Sequence, residues 1–352
     1  MDLTQLGWNA GLNQQFAPYQ AKGLVPARVA VEDKHFFRVW TAEAELLAQV
    51  TGHCLHEARG SNAKLPKVGD WVAVKLVPNE EKAMIQAILP RRTRLCRKMI
   101  GRGSTEHVLA TNIDTTFLVN AADASFDAAR LEQMLAMAHE SGARPVVLLN
   151  KIDLCDDLDA RLAAVARMAG DVLVLAVCAL TGRGVKKLAQ LIKPGETAVF
   201  IGTSGVGKSS LINRLYGEDL QATIEVRTHD AKGRHTTSWR EMIFLPQGGV
   251  VIDTPGMREF HLWITGEGSK QSFPEVDALS VRCHFRDCTH TQENRCAVRE
   301  ALAAGTLPRG RYDSFLKLQL EIRSLRGAEK KTAWQGRKKN DRGTQRDFSE
   351  PD

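Results

Sequence analysis

No run in this 352-residue chain approaches the ~20 continuous apolar residues that a membrane-spanning helix needs. Nor does its start, Met1-Asp2-Leu3-Thr4, open a basic and then apolar export signal. Membrane and secreted classes are set aside, and a soluble cytoplasmic protein is expected. Cysteine is sparse and odd in number, seven in all, so free thiols or metal ligands are favoured over a disulfide framework. What is present is ordinary for globular chains: 43% hydrophobic and 25% charged residues, enough for two or three domains with real cores. The net charge of +7 suits either a polyanionic partner or a merely basic soluble protein, and its location has to decide.

The stretch Gly202-Thr203-Ser204-Gly205-Val206-Gly207-Lys208-Ser209 fits G-x-x-x-x-G-K-[ST], the loop that wraps backbone N–H groups around nucleotide phosphates. Thr197 to Ile201 before it reads as a buried strand, and Leu211, Ile212 and Leu215 after it lie at helical spacing. In this context Lys208 reaches the β- and γ-phosphates, Ser209 can ligate Mg²⁺, and Ser210 follows in the same first turn. Upstream, the apolar run 145–149 delivers Asn150-Lys151-Ile152-Asp153, an N-K-x-D, at the carboxyl end of a strand, where ligands bind in α/β sheets. An aspartate there can accept both N1–H and N2–H of guanine, a pair that adenine cannot offer, while the lysine stem covers the base. After the strand 172–177 come Cys178-Ala179-Leu180, where GTPases place S-A-[KL] and turn the Ala N–H to guanine O6. Cys178 stands for the usual Ser, which predicts a weaker supporting hydrogen bond.

The N-terminal residues, polar and rich in Asn and Gln with Trp8 and Phe16 isolated, read as a loosely docked extension. From Leu24, strands expected at 25–31, 36–40, 44–50, 71–77 and 84–89 suggest an OB-type β-barrel. His35, His53, Cys54 and His56 lack ligand spacing. Between Arg91 and Arg102 a linker carries Arg91, Arg92, Arg94, Arg97, Lys98 and Arg102 with no acidic residue, either a solvated charge run or a phosphate-contacting strip. A strand is expected at 115–121, and a helix at 128–141 with Leu131, Met134, Leu135 and Ala138 on its core face.

Downstream of the phosphate loop stand Gly233-Arg234-His235-Thr236-Thr237 and then Asp253-Thr254-Pro255-Gly256, a D-x-x-G. Asp253 would hold Mg²⁺ through its water shell, the Gly256 N–H would sense the γ-phosphate, and Thr236 or, preferred, Thr237 would close on Mg²⁺ as the first switch. Met257 occupies the place of a water-orienting Gln. Hydrolysis is then slow until a partner helps, or another group substitutes, His235 being the best candidate. The guanine motifs precede the phosphate loop, so the domain is circularly permuted. Cys283, Cys288, His290 and Cys296 form C-x4-C-x-H-x5-C, a donor set suited to a closed, structural Zn²⁺ site. A helix with one apolar face follows around Tyr312 and Phe315. The tail, with Lys330, Lys331, Arg337, Lys338, Lys339, Arg342 and Arg346 around Trp334, could order on RNA.

Together, Val68-Gly69-Asp70-Trp71 in the barrel, the motif order, Gly233 to Thr237, Asp253 to Gly256 and the Cys3His run resemble the small-ribosomal-subunit biogenesis GTPase family RsgA over about residues 24–325. The resemblance implies an α/β protein with an N-terminal OB-type β-barrel, a circularly permuted P-loop GTPase domain and a C-terminal helical zinc-binding domain. Its expected parts are an extension (1–23), the barrel (24–95), the GTPase domain (96–265), the zinc domain (266–326) and a basic tail (327–352). It further implies a cytoplasmic bacterial GTPase, expected to be monomeric. Such a GTPase binds the maturing small subunit through its ribosomal RNA, hydrolyses GTP to GDP and phosphate faster there, and leaves as GDP forms. A permuted GTPase of large-subunit assembly, or an RNA-binding protein that keeps GTP as a structural ligand, are the rival readings.

Overall fold

In the N-terminal segment Asn9 starts a helix by accepting from the Leu12 N–H with its side chain, which satisfies one of the first turn's orphan donors. The computed structural model describes residues 2–33, 36–58, 64–99, 105–217, 240–253 and 273–320. The chain divides into two compact units, Met1–Cys96 with Val108–Phe260, and Arg97–His107 with His261–Asp352.

The first unit begins with a 3₁₀ turn, Leu3–Leu6, and helix α1 (Ala10–Gln20). The expectation of a loosely docked extension is corrected here. Leu6 and Phe16 are buried, and Trp8 packs edge-on against Phe16 and Trp71, at 5.7 and 4.8 Å between ring centroids. The physical reason is a cation in the barrel wall. Arg28 is 1% exposed and donates from Nη1 to the Leu6 carbonyl, from Nη2 to that of Asn112 at 3.2 Å and from Nε to that of Gly69 at 3.4 Å. Burial pushes its guanidinium down to about 10, and its outer face lies 5.3 Å from the Trp71 ring. A buried cation needs such acceptors, and the N-terminal turn supplies one of them.

The barrel strands are β1 (Val25–Glu32), β2 (Phe37–Trp40), β3 (Glu45–Val50), β4 (Trp71–Leu76) and β5 (Lys82–Ile88), with helix α2 (Gly52–Glu57) between β3 and β4. They run in the order β1-β2-β3-β5-β4 and close through β1–β4, all antiparallel except β3–β5. This is the expected five-stranded barrel. Its inner face is filled by Ala27, Val29, Val39, Ala48, Val72, Val74 and Ile85.

The cationic stretch after the barrel is not a linker. Arg91 donates to buried Asp70 at 2.8 and 2.7 Å and to the Leu65 carbonyl at 2.8 Å, and Arg92 pairs with Asp114. Strand β6 (Arg94–Met99) then pairs with β7 (Thr105–Thr111) as a two-stranded ribbon. Arg102 lies outside the described residues. At least Arg91 and Arg92 serve ion pairs within the fold.

Next come β8 (Thr115–Ala121), α3 (Ala128–Ser141), β9 (Arg144–Asn150), α4 (Leu158–Ala169), β10 (Leu173–Ala176), α5 (Val185–Gln190), β11 (Thr197–Ile201), α6 (Lys208–Tyr216), β12 (Arg240–Phe244) and β13 (Val250–Asp253). The sheet order is β10-β9-β8-β11-β13-β12, parallel except for β12. Apolar runs cover both faces, as a parallel sheet requires, and Phe117, Val119, Leu148, Phe200, Leu211 and Val251 are buried together. β12 also pairs with β1, Val31 opposite Glu241 and Glu32 opposite Arg240, so barrel and nucleotide sheet are continuous.

In the second unit, α7 (Pro274–Ser280), α8 (Ala297–Ala303) and a helix over residues 309–320 surround the cysteine-rich loop. Among the described residues no helix is long and apolar enough to cross a membrane.

Candidate nucleotide site and metal centre

Strands β8, β9, β10, β11 and β13 are parallel, so the loops at their carboxyl ends gather along one edge. The loop after β11 is glycine-dependent at defined points. A Cβ on Gly202 would stand 2.4 Å from the Val119 carbonyl oxygen, and one on Gly207, whose φ is +93°, would stand 2.2 Å from Asn150 Nδ2. That close approach is used. Asn150 is buried and donates from Nδ2 to the Val206 carbonyl at 2.8 Å, while its Oδ1 accepts from the Ala179 N–H at 3.1 Å. One side chain thus ties the phosphate loop to both guanine motifs.

Asp153 lies in the 3₁₀ turn Ile152–Leu154, which begins at Lys151 in the left-handed region at φ 58°. The Cys178 thiol, 1% exposed, donates to Asp153 Oδ1 at 3.0 Å and accepts from the Thr181 N–H at 3.4 Å. Sulfur therefore occupies the supporting position expected of a serine hydroxyl. Lys151 Nζ is 3.8 Å from Asp123, whose carboxyl is held below its ordinary range chiefly by hydrogen bonds from Ser125. Around these groups opens a cavity of 520 Å³ lined by Asn150, Lys151, Asp153, Cys178, Ala179 and Ser210, among others. Gly207 also lines it, so the cavity borders the last glycine of the phosphate loop.

Lys208 opens α6 and is 7% exposed, its Nζ donating to the Gly202 and Thr203 carbonyls at 2.9 and 2.8 Å. Burial pushes its ammonium below the ordinary lysine range, and nearby Asp253 opposes that shift. Asp253, at the end of β13, is raised by burial and in turn held back by Lys208. Ser209 is exposed beside them. The Ser209 hydroxyl, in the first turn of α6, and the Asp253 carboxylate, at the end of β13, are hard oxygen donors that suit Mg²⁺. Gly205 takes a positive φ of 84°, which favours glycine. Thr203, Ser204 and Val206 complete the loop, with Ser204 exposed and Val206 buried. His235, Thr236, Thr237, Gly256 and Met257 lie outside the described residues. Motif reading missed two contributors. Asp123 carries a signal, since it follows β8 on the ligand edge; Arg214 on α6, which bonds the 178–180 loop, carries none.

The four expected metal ligands converge, with every donor atom of Cys283, Cys288, His290 and Cys296 within 4.8 Å of the others. His290 Nδ1 is 3.6 Å from Cys283 Sγ and 3.4 Å from Cys296 Sγ, and the two sulfurs are 3.9 Å apart. Tetrahedral ligands at about 2.3 Å from zinc stand about 3.8 Å from one another, so this donor set fits Zn²⁺. Burial pushes the Cys288 thiol up to about 12, the Cys296 and Cys283 thiols adding to the shift. Thiols crowded in this way ionise only when a cation takes the place of their protons, as Zn²⁺ does. Tyr312 Oη donates to the His290 carbonyl at 2.6 Å, and Phe315 packs on the His290 ring. Glu293 fastens the ligand loop by accepting from the N–H groups of Thr289, Thr291 and Gln292. Hydrogen bonds, chiefly from the Thr289 side chain, hold its carboxyl down at about 2.

Residues 88–263 match the family described as RsgA GTPase. Over 330 residues the chain is 45% identical to the small ribosomal subunit biogenesis GTPase RsgA of Opitutus terrae, covering 91% of this chain and 90% of that one. The protein of the same name from Syntrophotalea carbinolica is 42% identical over 332 residues, covering 92% and 90%. Among solved structures, YjeQ from Thermotoga maritima matches with a TM-score of 0.62 at 25% identity, over 85% of this chain and 98% of that chain. YloQ, described as a circularly permuted GTPase, matches at 0.59 and 25%, over 86% and 96%.

Proposed function

The chain belongs to the RsgA family of GTPases, and from that membership we propose that it hydrolyses GTP to GDP and phosphate while bound to the maturing small ribosomal subunit. The observation that carries this reading is a cavity lined by both Asp153 and Gly207, with Asn150 bonded across to the phosphate loop. Asp153 accepts the N1–H and N2–H of guanine, Lys151 covers the base, and the Ala179 N–H turns from Asn150 Oδ1 to O6. The backbone of 202–207 and the start of α6 hold the phosphates, with Lys208 turning from its own loop carbonyls to the β- and γ-oxygens. Mg²⁺ held by Ser209, Thr237 and Asp253 would neutralise phosphate charge. The Gly256 N–H senses the γ-phosphate, and His235 orients the attacking water in place of the Gln absent at Met257.

On this reading a docked N-terminal segment (1–23) precedes the barrel (24–95), the GTPase domain (96–265), the zinc domain (266–326) and a basic tail (327–352). The protein works as a cytoplasmic monomer, and binding to ribosomal RNA weakens with salt as phosphate contacts are screened. Multiple-turnover GTPase assays with small subunits, large subunits and neither are the test. Acceleration by small subunits is expected; acceleration by large subunits alone overturns the assignment. Full stimulated activity in His235→Ala would remove that histidine from the mechanism.

A further inference from the structure

Helix α6 starts at the phosphate loop and runs along the base end of the cavity, burying Leu211, Ile212 and Leu215 in the sheet core. Arg214 points away from that core and is exposed. Its guanidinium spans to the loop after β10, Nε donating to the Ala179 carbonyl at 2.9 Å and Nη2 to the Leu180 carbonyl at 2.7 Å. Two donors of one rigid fork on consecutive carbonyls fix a loop in both position and orientation, which a single bond does not. Within the same loop, the Ala179 N–H is set by Asn150 and the Cys178 thiol is turned to Asp153. Arg214 also lines the cavity.

We propose that Arg214 is a positioning residue for guanine recognition, holding the 178–180 loop at the O6 edge, where the Ala179 N–H can turn from Asn150 to the base, and tying that loop to the helix that carries the phosphates. The proposal rests on the guanine-nucleotide reading of the cavity. It also explains why the loop does not depend on residues 150 and 153 alone. Those two meet the loop at the Ala179 N–H and the Cys178 thiol, whereas Arg214 holds the Ala179 and Leu180 carbonyls.

The test measures binding of GTP, inosine triphosphate, 6-thioguanosine triphosphate and ATP to the full chain, as wild type, Arg214→Met and Arg214→Lys. A thiocarbonyl at C6 is a poorer acceptor but keeps the N1–H and N2–H₂ that face Asp153; inosine keeps O6 and N1–H and lacks only the N2 group. In Arg214→Met, which retains the apolar stem, the preference for GTP over the 6-thio analogue should shrink roughly threefold to tenfold, the range of one peptide N–H bond. The preference for GTP over inosine triphosphate should stay at the wild-type value. Arg214→Lys, with a point charge for a fork, should fall between, and it carries the same readout if the Met variant does not fold. An unchanged 6-thio ratio, or an equal loss for all guanine analogues, overturns the positioning role. Equal binding of ATP and GTP by the wild type would instead overturn the guanine reading beneath it.

Discussion

The nucleotide cavity takes its polar groups from segments spread between residues 150 and 214, carried on a sheet whose faces are filled by Phe117, Leu148, Phe200 and Val251. The Cys3His cluster takes its four donors from residues 283–296, flanked by two seven-residue helices, with Val281 83% and Phe285 48% exposed. In the first region the apolar core positions the chemistry. In the second the metal ligands supplement a small core of Phe273, Val276, Val298, Tyr312 and Phe315, which has to hold a loop that contains left-handed His290 and Arg295. Loss of a polar group should therefore have opposite outcomes in the two regions.

The largest effect expected is on the metal side. One equivalent of zinc should copurify, and its removal by chelator, or Cys288→Ser, should abolish the cooperative unfolding of the second unit. The loss is at least several kcal/mol, since metal binding there is folding free energy. GTP binding should stay within about twofold of wild type, because the two sites share no residue and substitutions at independent sites add to within about 0.3–0.5 kcal/mol. Metal analysis and amide exchange over 283–320 read the first outcome. Protein prepared without chelator that holds no zinc, or exchange protection unchanged without it, would remove the contrast.

Lys208→Ala should give the reverse pattern, function lost and fold kept. The side chain is buried, but its partners are two loop carbonyls and the Asp253 charge, not the sheet core. Turnover should fall by about 10²–10³, the range for one donor aimed at developing charge. Stability should fall by only about 1–2 kcal/mol for two lost hydrogen bonds. Unchanged turnover refutes the role, and global unfolding would show that Lys208 belongs to the core after all.

Legibility in the sequence divides along physical lines. β8 and α3 have the ends expected of them, 115–121 and 128–141, because each is a continuous or periodic apolar run closed by a cap or turn. The Cys3His spacing gave its cluster directly, since four donors within fourteen residues leave few other arrangements. The docking of the N-terminal segment is not legible in the sequence because its burial depends on Arg28 and Trp71, whose meeting with Leu6 and Trp8 is a tertiary event. Arg91 and Arg92 read as part of a free charge strip for the same reason: Asp70 and Asp114, their partners, lie about twenty residues away on either side, beyond any local pattern. Arg214 was invisible because carbonyl acceptors leave no trace in a sequence.

Within the nucleotide site, Asp153→Asn sharpens the comparison by changing specificity while sparing the fold. It replaces one acceptor oxygen with a donor, so GTP affinity should fall by roughly tenfold or more, and xanthosine triphosphate should gain in relative terms. Competition binding reads both. If the variant's GTP-to-xanthosine ratio equals that of the wild type, Asp153 does not face the base edge.

The smallest effect separates a polar group that acts on the ligand from one that acts through a neighbour. Cys178 is buried and spends its proton on Asp153, so its contribution to guanine binding should pass through that carboxylate. Cys178→Ala removes the donor and should weaken GTP binding by about 0.5–1.5 kcal/mol, the net value of a neutral hydrogen bond. Cys178→Ser restores a shorter and stronger donor and should match or exceed the wild type, reversing the weakness that the sequence suggested for sulfur at this position. The decisive arm is the double variant. In an Asp153→Asn background the acceptor that Cys178 serves is altered, so the further change to Ala should cost little and the two losses should fall short of additive. A full additive loss would mean that the thiol works through the Thr181 amide and the loop backbone, which would place it with the scaffold and leave Asp153 oriented by its own turn.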